Sequence, residues 1–134
     1  MSFKAGDRVS ITVTVTDKMV RQFAEASGDF NPIHMDDEYA KKTRFGRRIA
    51  HGMLAGALIS RALAMSLGEG IYLTQSLKFL KPIFIDDEVQ VELYVTSERE
   101  DKGIASIETT VKKIPSGELA VKGDAMIMKG DFIK

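Results

Sequence analysis

No cysteine occurs among the 134 residues. That excludes disulfide frameworks, thiolate nucleophiles and every Cys-ligated zinc or iron–sulfur centre. Histidine is almost as scarce, with only His34 and His51. A three-His zinc site within one chain is therefore excluded, whereas a site of both imidazoles and a carboxylate survives the arithmetic. Net charge is lacking too. Nineteen Lys and Arg balance nineteen Asp and Glu, leaving no field to hold a nucleic-acid backbone, so no nucleic-acid partner is expected. Nothing before Gly6 reads as a charged-then-apolar secretory leader, and the expected compartment is cytoplasmic. The longest apolar run, Ile49 to Leu67, is broken by His51 and a central Arg61. An arginine there costs about 2.5–3.5 kcal/mol in a bilayer, so a buried soluble helix is expected and no membrane partner. Repeats, linkers and low-complexity segments are also missing.

What the chain does have is ordinary globular composition, 44% hydrophobic and 28% charged, which excludes disordered and collagen-like chains. Its length suits one core, and residues 1–134 read as a single domain. Val9, Ile11, Val13 and Val15 alternate with polar residues, the period of a half-buried strand. Thr16 or Asp17 can cap a following helix with apolar face Val20, Phe23 and Ala24, and Gly28 can end it. Asp29 to Met35 reads as a polar loop, after which Asp36 can cap a short helix bearing Tyr39 and Ala40.

Between Met53 and Leu67 apolar residues cover nearly every side of a helix, with Gly68 as its stop. Such a helix must be surrounded by protein. Ile71–Leu80 and Glu88–Glu98 read as strands. Asp101-Lys102-Gly103 and Pro115-Ser116-Gly117 then turn into two more, carrying Ala105, Ile107, Thr109 and Val111, then Leu119, Val121, Ala125 and Ile127. Met126 and Met128 read as fillers of core gaps. The expectation is an α+β fold in which an antiparallel sheet curls around one central helix.

The loop Ser27-Gly28-Asp29-Phe30-Asn31-Pro32-Ile33-His34 is the informative one. Asp29 and His34 lie five positions apart across a proline-braced turn. A carboxylate and an imidazole converging on one water can take a proton and return it at neutral pH. The spacing equally allows Asx turns at Asp29 and Asn31, with His34 satisfying a loop carbonyl.

Phe23, then Gly28-Asp29-x-Asn31-Pro32-Ile33-His34, with Ala40 after five intervening residues, resembles the signature of the MaoC-like (R)-specific enoyl-CoA hydratases and dehydratases. The resemblance extends through Ala50-His51-Gly52-Met53, Leu77-Lys78-Phe79-Leu80-Lys81-Pro82 and Asp86-Asp87-Glu88-Val89, nearly the whole chain. It departs at Ala26, where the family prefers a larger aliphatic residue or glycine. The resemblance implies a hot-dog fold, a bent antiparallel sheet wrapped around a long helix. It implies water addition across trans-2-enoyl thioesters to give (R)-3-hydroxyacyl thioesters, or the reverse, with coenzyme A or acyl carrier protein as the substrate's carrier. Asp29 and His34 fall on the family's catalytic pair, and Asn31 on an asparagine that positions loop or substrate. The chain is expected to be a homodimer and to need no metal or other cofactor.

Charge developing on a thioester oxygen needs donors, and the backbone N–H of Gly52 at a helix start offers one. Gly52 could instead be a packing glycine. His51 reads as a hydrogen-bonded structural residue at the helix entrance, or as a substrate contact. Ser60, further along the helix, could reach the pocket and contact substrate, or bond its own preceding turn. Lys41, Lys42, Arg44, Arg47 and Arg48 form a basic cluster suited to coenzyme A phosphates or an acidic carrier protein, or a solvated face. The competing functions are a hot-dog thioesterase and a non-catalytic acyl-CoA-binding module.

Overall fold

A computed structural model describes residues 4–133. Strand β1 (Arg8–Thr14) is the alternating segment: Val13 and the adjoining Val15 are buried, and Val9 and Ile11 half-buried. Helix α1 (Asp17–Ser27) starts where Thr16 Oγ1 accepts the Met19 N–H at 3.2 Å. It ends at Gly28, whose φ of 79° lies in the left-handed region that glycine enters without strain. Val20 and Ala24 are buried and Phe23 half-buried, the face the spacing predicts.

The segment expected as loop through Met35 is helical from Pro32. Helix α2 (Pro32–Met35) begins with Asn31 Oδ1 accepting the Ile33 N–H, and Pro32 brings a φ already suited to the first turn. Helix α3 (Asp37–Lys41) is capped by Asp36, which accepts from Glu38 and Tyr39.

Helix α4 (Gly52–Leu67) ends at Gly68 as expected. Its inner side is Leu54, Ala55, Leu58, Ile59, Ala62 and Leu63, all buried. The expectation that protein surrounds it is not met within the chain. One sheet covers one flank, while Met53 and Met65 on the other are 58% and 64% exposed.

That sheet is antiparallel, with order β1-β4-β5-β6-β2, and β3 also pairs with β6. Ile71–Leu80, read as one strand, is divided into β2 (Gly70–Gln75) and β3 (Lys78–Phe79). The chain is pulled aside at Ser76, which donates its N–H to Asp124 O and accepts the Asp124 N–H on its hydroxyl. Only a residue without Cβ fits opposite: a Cβ on Gly123 would sit 1.7 Å from Ser76 O. Strands β4 (Glu88–Arg99), β5 (Ile104–Ile114) and β6 (Leu119–Lys129) form the expected meander.

Val89, Val91, Leu93, Val95, Ile107, Val111 and Ile127 form one core with α4, which packs against β1, β2, β4 and β5. Irregularities in pairing at Val95/Ser97 and Tyr72/Thr74 help the sheet bend. This is the helix-in-sheet arrangement that the resemblance implies. Met126 and Met128 do not fill the core. With Ala125 and Ile127 inside, the period of two turns them outward, Met126 exposed and Met128 half-buried. No helix among the described residues is long and apolar enough to cross a membrane.

Candidate active site

Gly28 turns the chain out of α1, and the next residues are shaped by their own side chains. Ser27 Oγ donates to Phe23 O and accepts the Asp29 N–H; Asp29 Oδ1 in turn accepts the Asn31 N–H at 3.2 Å. Both Asx interactions allowed by the spacing are thus present, at Asp29 and at the Asn31 cap. With them in place Asp29 and His34 lie side by side, their side-chain polar atoms within 4.8 Å. Asp29 is exposed, whereas His34, the third residue of α2, is 8% exposed.

Residues 48–51 run alongside this loop. The Ile49 N–H reaches Ile33 O at 3.3 Å, and His34 Nδ1 lies 2.8 Å from Ile49 O. A carbonyl only accepts, so Nδ1 carries the proton and Nε2 of neutral His34 is left with its lone pair. By the same reasoning His51 donates from Nε2 to Asp29 O at 2.9 Å. The two imidazoles stack with centroids 4.0 Å apart, and Phe23 packs on His51 at 4.9 Å.

Asp29, His34, His51 and Gly52 line one cavity of about 490 Å³ with Phe79, Leu80, Pro82 and Ile83 among its apolar walls, and with Arg44 and Lys81 as cations. Burial lowers the His34 pKa below its ordinary 6.5, and His51 lowers it further, against the opposing pull of the Ile49 carbonyl and Asp29. A neutral imidazole beside a carboxylate in a largely apolar cavity is competent to exchange protons with a bound water. Gly52 is the first residue of α4, where an amide has no acceptor within the helix. The missing Cβ matters here, since one would lie 2.8 Å from the Phe79 ring.

Asp29, His34 and His51 can each offer a ligand atom, all within 4.8 Å of one another. This is the two-imidazole, one-carboxylate set left open by the residue count. A second nitrogen tied to a carbonyl is usual for a metal ligand, but it also serves a general base, so the trio does not demand an ion.

The other sequence candidates are placed differently. Asn31 is exposed and its side-chain oxygen is engaged in capping α2, so it shapes the loop. Ser60 lies about 12 Å along the helix from Gly52 at 1.5 Å per residue. It lines a separate recess of about 90 Å³ with Leu63, Tyr72 and Ile127. The basic cluster disperses: Lys41 pairs with Glu38, Arg47 covers Phe84, and only Arg44 faces the cavity. Arg48 is 8% exposed and bound to Asp17 and Asp37, which removes it from any phosphate-binding face. Sequence reasoning missed this role because its partners lie 31 and 11 residues away. His51 is the hydrogen-bonded residue at the helix entrance that the sequence suggests, with Asp29 O as its partner.

A family profile described as "MaoC like domain" matches residues 4–116. The (R)-specific enoyl-CoA hydratase of Aeromonas caviae is 43% identical over 94% of this chain and 95% of its own. A mitochondrial 3-hydroxyacyl-[acyl-carrier-protein] dehydratase of Arabidopsis thaliana is 32% identical over 91% and 75%. Among solved structures, the A. caviae (R)-hydratase involved in PHA biosynthesis superposes with a TM-score of 0.90, at 41% identity over 96% of this chain and 98% of that one. Its hot-dog architecture is shared by the fold described above.

Proposed function

This chain belongs to the MaoC-like domain family, and from that premise we propose that it is a hydro-lyase adding water to trans-2-enoyl thioesters to give (R)-3-hydroxyacyl thioesters, and catalysing the reverse dehydration. The observation that carries this reading is the His34 tautomer. Its Nδ1–H is committed to Ile49 O, leaving a basic Nε2 in the cavity that Asp29 shares. One water held by the pair forms a C–O bond at Cβ while a proton leaves it for the pair. The alkene electrons move toward the thioester oxygen, where the Gly52 N–H stabilises the developing charge. A proton returns from the pair to Cα, so protons balance over the cycle. One water on one side delivers both parts, which favours syn addition. We assign proton transfer to Asp29 and His34 jointly, because both line the cavity and their side chains lie within reach of one water.

Arg44 and Lys81 suit the phosphates of a coenzyme A or carrier-protein thioester. We further propose a homodimer. Edge strand β2 and the outer flank of α4 leave Ile71, Tyr72, Leu73, Met53 and Met65 exposed. A second copy would cover that surface and close the unpaired strand edge. The test is crotonyl-CoA: loss of enoyl-thioester absorbance in the absence of free thiol, with an (R) product and, in deuterium oxide, deuterium on the same face as the hydroxyl. Thiol release would assign a thioesterase, binding without either change would assign a non-catalytic module, and an anti-placed deuterium would overturn the single-water mechanism.

A further inference from the structure

Helix α2 has four residues, too few to hold a catalytic side chain by its own hydrogen bonds. Its position must come from outside: the Ile49 backbone holds Ile33 O and the His34 ring, and two side chains of the same segment hold the main chain of the pair. Arg48 donates from Nη1 to the His34 carbonyl at 3.1 Å, while its Nε and Nη2 reach Asp37 of α3 and Asp17 of α1 at 2.9 and 2.7 Å. Three donors of one planar guanidinium therefore tie α1, α2 and α3 together at the backbone of His34. Three residues on, His51 donates to the Asp29 carbonyl and lays its ring on that of His34.

We propose that Arg48 and His51 are positioning residues, one clamping the main chain of each member of the Asp29/His34 pair. The inference rests on the acid–base reading above and adds to it the two side chains that fix the pair's separation. Neither needs to touch substrate. The clamp acts through geometry, where an error on the order of 1 Å can cost about 100-fold in rate.

Two substitutions remove the donors, Arg48→Met and His51→Leu, and two retain part of them, Arg48→Lys and His51→Gln, the last keeping an N–H close to the Nε2 position. The fold should survive loss of the guanidinium, because Asp17 and Asp37 keep side-chain exposures of 45% and 76% and return to water. Crotonyl-CoA hydration is measured well below each variant's melting transition, together with ¹⁵N NMR of the His34 ring. In Arg48→Met and His51→Leu, kcat should fall about 10- to 100-fold with KM nearly unchanged. The His34 nitrogens should lose the fixed Nδ1–H pattern, and His51→Gln should recover most of the rate. Folded donor-less variants with the wild-type kcat and an unaltered nitrogen pattern would overturn the proposal. If a donor-less variant does not fold, the same comparison on Arg48→Lys decides, since a lone ammonium cannot make all three bonds and wild-type values would again count against the clamp. A wild-type protein that does not hydrate the substrate would refute the functional reading instead, and the nitrogen pattern would then judge the clamp alone.

Discussion

In the proposed mechanism His34 acts as a neutral imidazole. Its burial disfavours the imidazolium more than Asp29 and the Ile49 carbonyl favour it. The acidic limb of the hydration rate should therefore fall below pH 6.5, the ordinary value of the group. Stability follows the same sign. The unfolded chain takes up a proton as pH drops through 6.5 while the folded His34 resists it, so its contribution is complete above 6.5 and is lost as pH falls below. Denaturation midpoints measured across this range, in wild type and in His34→Gln, check the sign: the slope should shrink in the variant. Asp29→Asn and His34→Ala should each lower hydration by about 10²- to 10⁴-fold. Far-UV circular dichroism should hold nearly steady in both; melting should hold in Asp29→Asn, whose site is exposed, and fall in His34→Ala, which loses the buried ring's contact with His51 together with its bond to Ile49 O. Activity retained in either variant would remove that residue from the mechanism, and unfolding would make its role structural.

At the scale of elements, α4 is two different surfaces. Ile59 is fully buried against the sheet, and Ile59→Ala should cost about 2–5 kcal/mol by chemical denaturation. Met65→Ala on the open flank should change the stability of an isolated chain very little. The sequence made the existence of this helix, its Gly68 stop and the β4–β6 meander legible, because period and turn chemistry are local signals. It did not reveal that one flank of α4 is open, since an apolar residue reads alike whether its own chain or another molecule covers it. The break at Ser76 was hidden for a related reason, its partner Asp124 being 48 residues away. In the site, Asp29, His34 and Gly52 could be read from a contiguous motif and a helix start. Arg48 could not, because a buried arginine and a solvated one look the same within a basic run, and the recess that Ser60 faces depends on the packing of α4, which its sequence does not carry.

For the molecule as a whole, the outward apolar surface of β2 and α4 is the face on which the proposed dimer rests. Sedimentation equilibrium at micromolar concentration should give a dimer. Leu73→Asp, a charge on an exposed edge-strand residue, should give a monomer without altering the buried core. A monomeric wild type that is fully active would refute the dimer.

The register of β1 has one more consequence, in the order of events along the folding pathway. Arg8 pairs with Tyr94, and every α-helix among the described residues lies between them. By contrast, β4 and β5 meet across the short turn ending at Gly103. Closing the long segment carries an entropic cost before any β1 contact is gained, so the meander should assemble first and β1 dock late. Ile107→Val, within β5, should then slow refolding, whereas Val13→Ala should leave the refolding rate nearly unchanged and accelerate unfolding. Stopped-flow chevrons of the two variants give the comparison, and a slowed refolding limb in Val13→Ala would place β1 in the nucleus.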